Sequence, residues 1–226
     1  MSVHSITNVA NLIGESGRIR MLSLLLDGDG HSASELAMAA AVSPQTASSH
    51  LAKLLDGGLV VFERKGRQRL FRLSNADVAA AVEALGALAS NPATSAMPEM
   101  RLARTCYDHL AGVLAIVLRN ELLKRDLLRN RRNTFVTTKM GERFFRSLDI
   151  DVAALRGLRR PLTRKCLDWT ERHHHVGGGL GAAMLTRFLE MKWLVRRPHT
   201  RAVRLTHEGE LGFERFLKVD RRALQC

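Results

Sequence analysis

Two short segments in the second half of the chain carry side chains that bind metal ions or react with oxidants. Thiolate, imidazole and carboxylate groups are ligands for zinc and related ions. The alternative is that the cysteines are buried as small apolar residues and that the acidic residues cap helices. The pattern therefore allows a metal or thiol sensor site, with a purely structural role as the alternative. The candidate residues are Cys106, Asp108, His109, Cys166, Asp168, His173 and His175.

An internal repeat would place these two segments at equivalent positions. The stretch from His109 to Leu114 matches the stretch from His175 to Leu180, and apolar residues further along keep the same offset. Each unit is predicted to contain a long helix, a short hairpin and a closing helix, and so to resemble a winged helix. A helical repeat without functional meaning is the alternative. The predicted units span about residues 104–150 and 164–219.

A second set of candidate residues follows Ser43. Ser43 suits a helix N-cap, and Pro44 suits the first helical position. Apolar residues then recur at helical spacing as far as Leu55, so the remaining face is small and polar. Such a face fits a DNA major groove, where Gln reads adenine, Ser and Thr contact bases or phosphates, and Lys supplies charge. The candidate DNA-contacting residues of this helix are Ser43, Gln45, Thr46, Ser48, Ser49, His50 and Lys53.

A basic hairpin follows that helix. Residues 60–62 and 70–73 have the composition of strands, and cations crowd the turn between them. These cations would lie at phosphate distance beside the helix. Because residues 34–41 are predicted to form a shorter helix upstream, the elements follow the order helix, turn, helix and wing. The candidate phosphate-contacting residues are Arg64, Lys65, Arg67 and Arg69.

These residues resemble the ArsR/SmtB family of bacterial transcriptional regulators. The resemblance covers about residues 5–90 and implies a homodimeric winged-helix protein that binds a double-stranded DNA operator, usually as a repressor released by a signal. A helical domain with a merely solvated polar face is the alternative, but cap, periodicity and wing agree with one another. The matching residues are Ser43-x-x-Thr46-x-Ser48-x-His50-Leu51-x-x-Leu54, Gly58-Leu59-Val60 and the basic wing.

The usual metal sites of that family are missing from this sequence. Metal-sensing members often carry Glu-Leu-Cys-x-Cys on the first helix of the pair, whereas Glu35-Leu36 is followed here by Ala37 and Ala39. Other members place Asp and His ligands on the helix after the wing, and residues 77–88 hold no histidine. The cofactor is therefore unknown, and a metal or redox response would have to arise at the C-terminal Cys/His/Asp segments.

The helix after the wing is predicted to mediate dimerisation. It is rich in alanine, and its larger apolar residues share one face, so two copies could pack closely. A symmetric dimer would match a two-fold operator. The residues of this apolar stripe are Val78, Val82, Leu85 and Leu88.

Length and composition indicate two globular domains in the 226-residue chain. A stretch rich in Ser, Ala and Thr with two prolines predicts a linker over residues 91–98. It separates a DNA-binding and dimerisation domain, residues 1–90, from a C-terminal effector or assembly domain, residues 99–226. No basic residue precedes Arg18 and no apolar run approaches about 18 residues, so we expect a cytoplasmic protein without a membrane partner.

The formal net charge of +13 comes entirely from the second half of the chain. Residues 1–90 contain eight of the 35 Lys and Arg residues and eight of the 22 Asp and Glu residues. Additional nucleic-acid contact and a solvated surface both explain this excess. Residues 177–181 are rich in glycine but lack the preceding strand and following Lys-Ser/Thr of a phosphate loop, which favours close helix packing. No spacing of nucleophile and base indicates an enzyme.

Together the patterns predict a mainly α fold with small β-hairpins (α+β). It would consist of a winged helix-turn-helix domain and a second helical domain with two winged-helix-like repeats. The predicted function is sequence-specific transcriptional regulation by a homodimeric repressor that an unidentified signal releases. The alternative is an architectural DNA- or RNA-binding protein that uses the Arg-rich C-terminal half without sequence preference.

Overall fold

The chain forms two compact units, residues 1–86 and 87–226. This computed structural model describes residues 3–89, 98–197 and 200–219. The predicted linker, residues 91–98, lies outside the described residues except for Pro98, which begins a helix.

The first unit consists of short helices and a three-stranded antiparallel sheet, in the strand order β1-β3-β2. A 3-10 helix at Leu25–Asp27 connects α2 to β1. The elements are α1 (Val3–Ile13), α2 (Ser16–Leu24), β1 (His31–Ser32), α3 (Ala33–Ala40), α4 (Pro44–Asp56), β2 (Val60–Lys65), β3 (Gln68–Leu73) and α5 (Ala76–Ala89).

Local capping defines the helix pair α3–α4. The Ser32 hydroxyl accepts a hydrogen bond from the amide of Glu35, while the Glu35 carboxylate accepts one from the Ser32 amide. This capping box satisfies amides that the first helical turn leaves without partners. Ala41 ends α3 in the left-handed region at φ 55°, which reverses the chain before Ser43 caps α4. The two helices are therefore joined by a tight turn, as the sequence predicts.

The second unit alternates two-stranded antiparallel hairpins with helices. Within the described part of the chain, no helix is both long and apolar enough to cross a membrane. The elements are α6 (Pro98–Leu102), β4 (Arg104–Cys106), β5 (His109–Ala111), α7 (Val113–Lys124), β6 (Leu128–Asn130), β7 (Phe135–Thr137), α8 (Lys139–Ser147), α9 (Val152–Arg156), β8 (Arg164–Leu167), β9 (His174–Gly177), α10 (Gly178–Glu190), β10 (Leu194–Arg196), β11 (Val203–Leu205) and α11 (His207–Leu217).

The order hairpin, helix, hairpin, helix occurs twice in this unit. Gly112 and Gly178 stand at the start of α7 and α10 with φ values of 90° and 80°. A Cβ atom would lie 2.6 Å from the carbonyl oxygen of Arg101 in the first case and 2.8 Å from that of Pro161 in the second. Both sites therefore need glycine, for positive φ and for close approach of backbone.

The closing helices of the two halves also begin alike. Thr138 and Thr206 are the N-caps of α8 and α11, and each hydroxyl accepts a hydrogen bond of 2.9 Å from a glycine amide three residues later. The predicted α+β fold with small hairpins is confirmed. One feature differs from the prediction: a hairpin, β4–β5 or β8–β9, precedes the long helix of each half. The sequence did not show these hairpins because their short strands contain few of the β-branched and aromatic residues that are typical of strands.

Candidate nucleic-acid interface and Cys/His cluster

Helix α4 has one buried face and one exposed polar face. The buried face is apolar and packs into the core of the first unit through Ala47, Leu51 and Leu54. Because successive helical residues are rotated by about 100°, the side chains between these positions project to solvent. The exposed polar residues of α4 and its cap are Ser43, Gln45, Thr46, Ser48, Ser49 and Lys53.

Three of these hydroxyl groups already have partners within the helix, since the hydroxyls of Ser43 and Thr46 form a hydrogen bond of 2.9 Å with each other. The Ser43 hydroxyl accepts a hydrogen bond of 3.1 Å from the Thr46 amide, which is its capping role. The Ser48 hydroxyl donates to the carbonyl oxygen of Pro44 at 2.9 Å. Gln45, Ser49 and Lys53 lie on the part of the helix opposite the core and hold the polar groups best placed to contact a ligand.

The structure places His50 apart from this exposed face. Its side chain is only 12% exposed, and its Nε2 atom lies 3.3 Å from a carboxylate oxygen of Glu15. A Cβ atom on Gly17 would lie 3.0 Å from the same nitrogen, so the N-terminus of α2 packs directly against the imidazole. His50 therefore connects α4 to α2, and we leave it out of the DNA-contacting set.

The β2–β3 hairpin concentrates positive charge at its tip. Arg64 and Arg69 are directly opposite each other, and Gly66 turns the chain at φ 62°. In the described parts of the chain, Arg64, Lys65 and Arg67 form no ion pair with a carboxylate. Like charges at opposite positions of a hairpin are unfavourable, so an anion bound there would relieve their repulsion.

The remaining wing cations are held by neighbouring side chains. The Arg69 guanidinium lies over the Phe62 ring, 4.9 Å from its centre. Arg72 forms an ion pair of 2.8 Å with Glu63. Arg69 is therefore held close to the tip by a cation–π contact, while the charge of Arg72 is neutralised by Glu63.

Helix α5 carries an apolar stripe that is only partly covered. Val82 is buried, whereas Leu85 is 42% exposed and Leu88 is 83% exposed. On α1, Ile6 and Val9 are also exposed. Large apolar side chains on α1 and α5 are therefore available for association with another surface.

In the second unit, four of the seven candidate Cys, Asp and His residues come together. The ligand atoms of Cys106, His109, Cys166 and His175 all lie within 4.8 Å of one another. Strand register explains the arrangement, since Cys106 pairs with His109 across β4–β5 and Cys166 pairs with His175 across β8–β9. The two sulfur atoms are 3.7 Å apart, and the two Nε2 atoms are 3.1 Å apart.

The two aspartates of the candidate set lie behind the histidines. An oxygen of Asp108 is 3.3 Å from Nδ1 of His109, and an oxygen of Asp168 is 3.3 Å from Nδ1 of His175. His173 is exposed and lies outside the four-residue cluster. The candidate set thus divides into three groups. Four residues bring their Sγ and Nε2 atoms together, the carboxylates of Asp108 and Asp168 lie behind the imidazoles, and His173 takes no part.

Buried hydrogen bonds fix the position of Asp168. The Arg104 guanidinium donates to it at 2.8 Å, and both side chains are completely buried. The amide of Gly112 donates to the second carboxylate oxygen at 2.6 Å. Burial opposes ionisation of Asp168, but the contact with His175 and the charge of Arg104 hold its pKa well below the ordinary range.

Sequence reasoning missed Arg104, one of the 35 basic residues of the chain, because nothing in the local pattern marks it as buried. Its guanidinium lies over the ring of Trp169 and also donates to the carbonyl oxygen of Met100 and the hydroxyl of Thr170. Only the fold reveals that this arginine supports the cluster through Asp168.

The electrostatics of His109 follow from its neighbours. Burial favours the neutral imidazole, but the charge of a Cys106 thiolate and the hydrogen bond to Asp108 raise the pKa of His109 to about 9. Asp108 is itself paired with Arg160 at 2.6 Å. The cluster is thus a buried polar group whose charges are arranged in pairs.

The helix pair α3–α4 followed by the β2–β3 hairpin defines a winged helix-turn-helix, a class of DNA-binding fold. Residues 14–61 match a family described as a helix-turn-helix domain. A Bacillus subtilis (strain 168) protein described as "Uncharacterized HTH-type transcriptional regulator YdfF" is 40% identical over 221 residues, which cover 95% of this chain and 98% of that protein. The chain belongs to this family of HTH-type transcriptional regulators. The regulator class predicted from the sequence is confirmed.

Solved structures also match the first part of the chain. One is a homodimeric winged helix-turn-helix DNA-binding domain from Mycobacterium bovis, described as a possible ArsR-family regulator; it is 28% identical, and the match covers 38% of this chain and 80% of that one, with a TM-score of 0.36. Another is the transcriptional repressor BigR from Xylella fastidiosa, 25% identical, with 38% and 88% of the two chains covered and a TM-score of 0.36.

Proposed function

We propose that the protein represses transcription by binding a specific double-stranded DNA operator as a homodimer, and that a signal releases it. The observation that carries this proposal is the combination, within one unit, of an exposed polar face on α4 and cations at the tip of the β2–β3 hairpin that form no ion pair with a carboxylate of the described residues. A helix of this kind fits the major groove, while cations beside it fit phosphates.

Helix α4 and the β2–β3 hairpin would contact different parts of the DNA. Gln45 has the amide geometry for a bidentate contact with adenine, and Ser49 and Lys53 lie on the same face. Arg64, Lys65 and Arg67 would contact phosphates, which position the protein without reading sequence. Ser43, Thr46, Ser48 and Arg69 complete the proposed interface.

Homodimerisation is supported by the exposed leucines of α5. Leu85 and Leu88 are the most exposed members of the stripe, and a second copy offers the same apolar surface for self-complementary packing. A dimer would double the contact with a two-fold operator, with half-sites about one helical turn apart.

The ion pairs of the second unit weigh against non-specific binding by its arginines. Seven arginines of that unit are held by carboxylates within the unit and are less free to contact a polyanion, although the unit keeps its excess of positive charge. We therefore favour operator binding by the first unit and a role for the second unit in assembly or response, with no catalytic step. The arginines in ion pairs are Arg101, Arg104, Arg129, Arg156, Arg160, Arg187 and Arg197.

Selection of bound duplexes from a random DNA pool tests this proposal directly. We expect a short, approximately palindromic consensus, and footprinting on that sequence should protect a limited region. RNA and scrambled DNA of equal length serve as matched competitors. Equal affinity for the selected duplex, the scrambled DNA and the RNA would contradict operator recognition and favour the architectural alternative.

A further inference from the structure

We propose that Cys106, His109, Cys166 and His175 bind one zinc ion in tetrahedral coordination, a role separate from DNA binding. Zinc sites in proteins combine Zn–S bonds of about 2.3 Å with Zn–N bonds of about 2.0–2.1 Å. In a tetrahedron these lengths put two sulfurs about 3.8 Å apart and two nitrogens about 3.4 Å apart. The cluster has 3.7 Å between sulfurs and 3.1 Å between Nε2 atoms, so these two pairs need only small shifts. All four donor atoms lie within 4.8 Å of one another, and the sulfur–nitrogen pairs would close to about 3.6 Å around the ion.

The donor set also matches zinc in charge. Two thiolates cancel the charge of the divalent ion, which suits a site where Cys106, His109 and His175 are buried. Binding forms two Zn–S and two Zn–N bonds and releases to solvent the protons that the two thiols or the imidazole Nε2 atoms carry, with no change in oxidation state. Cys166 is only partly buried and gives the ion a route to the cluster.

The surroundings of the histidines favour metal binding. Metal-bound histidines commonly donate their second ring N–H to a carboxylate, which fixes the tautomer and leaves the other nitrogen for the metal. Nδ1 of His109 is hydrogen-bonded to Asp108 at 3.3 Å, and Nδ1 of His175 lies 3.3 Å from Asp168 without the geometry of a hydrogen bond. The two Nε2 atoms face each other at 3.1 Å in the cluster. Arg160 and Arg104 in turn hold the two carboxylates.

The two halves of the unit contribute equally to this site. Each hairpin, β4–β5 and β8–β9, supplies one cysteine and one histidine at directly opposed positions. A bound ion would therefore crosslink segments separated by 60 residues and stabilise the unit against unfolding. A disulfide would join the same two cysteines but would leave the converging imidazole nitrogens without a common partner.

Metal content and spectroscopy of the full-length protein test the site. A Cys226→Ser background leaves two of the three cysteines. We expect reduced protein to retain about one Zn²⁺ per chain after desalting. Substitution with Co²⁺ should produce the intense visible bands of tetrahedral cobalt together with thiolate-to-metal charge transfer. Cys166→Ser and His175→Gln should remove both properties, whereas the exposed controls His173→Gln and His174→Gln should retain them.

Protection of the two thiols from alkylation provides a second test, which does not depend on the folding of any variant of the site. In the same background, Zn²⁺ should slow alkylation of Cys106 and Cys166, and a chelator should restore the fast rate. Equal alkylation rates with and without Zn²⁺ would overturn the proposal. A Cys106–Cys166 disulfide that survives treatment with both reductant and zinc would also overturn the proposal.

Discussion

The first unit presents its candidate functional side chains to solvent along one stretch from Ser43 to Arg69, whereas the second unit gathers Cys106, His109, Cys166 and His175 from two hairpins into its interior. A DNA duplex is large and rigid, so the groups that contact it must project from the protein surface. A metal ion is small and is bound most firmly where protein ligands replace its water shell. The difference in burial therefore corresponds to a difference in the size of the proposed ligand.

The two regions also differ in how their polar groups are supported. In the wing, Arg64, Lys65 and Arg67 form no ion pair with a carboxylate in the described structure. In the cluster, each imidazole is backed by a carboxylate and each carboxylate by an arginine. We expect substitutions in the wing to leave folding intact, and substitutions near the cluster to affect stability as well as binding.

The largest effect is expected from disrupting the stripe on α5. Leu85→Glu should produce monomers, because a symmetric interface would contain the new carboxylate twice and burying two like charges is unfavourable. Operator affinity should fall by about 10²- to 10⁴-fold as linked binding of two half-sites is lost. Sedimentation and a binding titration measure the two results. Met38→Glu, at an exposed apolar residue of α3 outside the stripe, is the control for association. An unchanged dimer in Leu85→Glu would exclude this interface.

Removing a carboxylate behind a histidine tests the buried region. Asp108→Asn should weaken Zn²⁺ affinity by about 10- to 100-fold, because the amide supports the imidazole less strongly than the carboxylate does. Competition with a chromophoric chelator measures the change. Asp149→Asn, which alters an exposed ion pair with Arg187 in the same unit, should leave affinity unchanged. Equal affinities for both variants would remove Asp108 from the support of the site.

Gln45→Ala tests whether the exposed face of α4 reads bases. Loss of a bidentate contact should weaken the binding free energy for the selected operator by roughly 1–3 kcal/mol and relax the base preference at one position. Affinity for random DNA should hardly change. Asn8→Ala, which removes an exposed amide side chain of α1 outside the proposed interface, is the matched control. Equal losses on operator and random DNA would show that α4 does not supply the specificity.

Arg67→Ala tests the wing as a phosphate contact. Binding should weaken on all sequences alike, and the slope of log K against log salt should become shallower by about 0.9 if one phosphate contact is lost. Arg72→Ala is the control, because Arg72 is neutralised by Glu63. An unaltered salt slope in Arg67→Ala would place this residue away from the DNA backbone.

The smallest effect concerns pH and the stability of the first unit. His31 donates to Asp27 across 2.7 Å in a buried pair, and that hydrogen bond, opposed by burial, raises the pKa of His31 above its ordinary value of 6.5. The resulting stabilisation is complete below pH 6.5 and is lost as the pH rises through the higher pKa of the folded state. Hydrogen-exchange protection factors for α3 and β3 should fall over that interval. His31→Gln should abolish this dependence, and His207→Gln, an exposed control, should preserve it.

The sequence was sufficient to predict α4 and the β2–β3 hairpin because the residues that specify each element lie close together in the chain. Ser43, Pro44 and the apolar spacing that follows describe a helix within one stretch of chain, and the wing follows directly. His50 shows the limit of this reasoning. Its position on the helix is compatible with the polar face, but packing of α2 against it directs the imidazole to Glu15.

The residue types of the cluster were visible in the sequence, and so was the repeat that relates them. The selection of four residues from seven was decided by strand register in β4–β5 and β8–β9, which depends on contacts between segments far apart in the chain. The domain boundaries and the DNA-contacting residues stay predictions, which the experiments above test.

The sequence by itself determined the class of the first unit and, apart from His50, the residues that face solvent on α4, because helix caps, periodicity and turn chemistry act over a few residues. Tertiary structure alone decided which histidines meet the two cysteines, that Asp108 and Asp168 lie behind them, and that Arg104 is buried against Asp168. Those relations arise from packing between distant segments, where burial changes the role of a side chain without changing its identity.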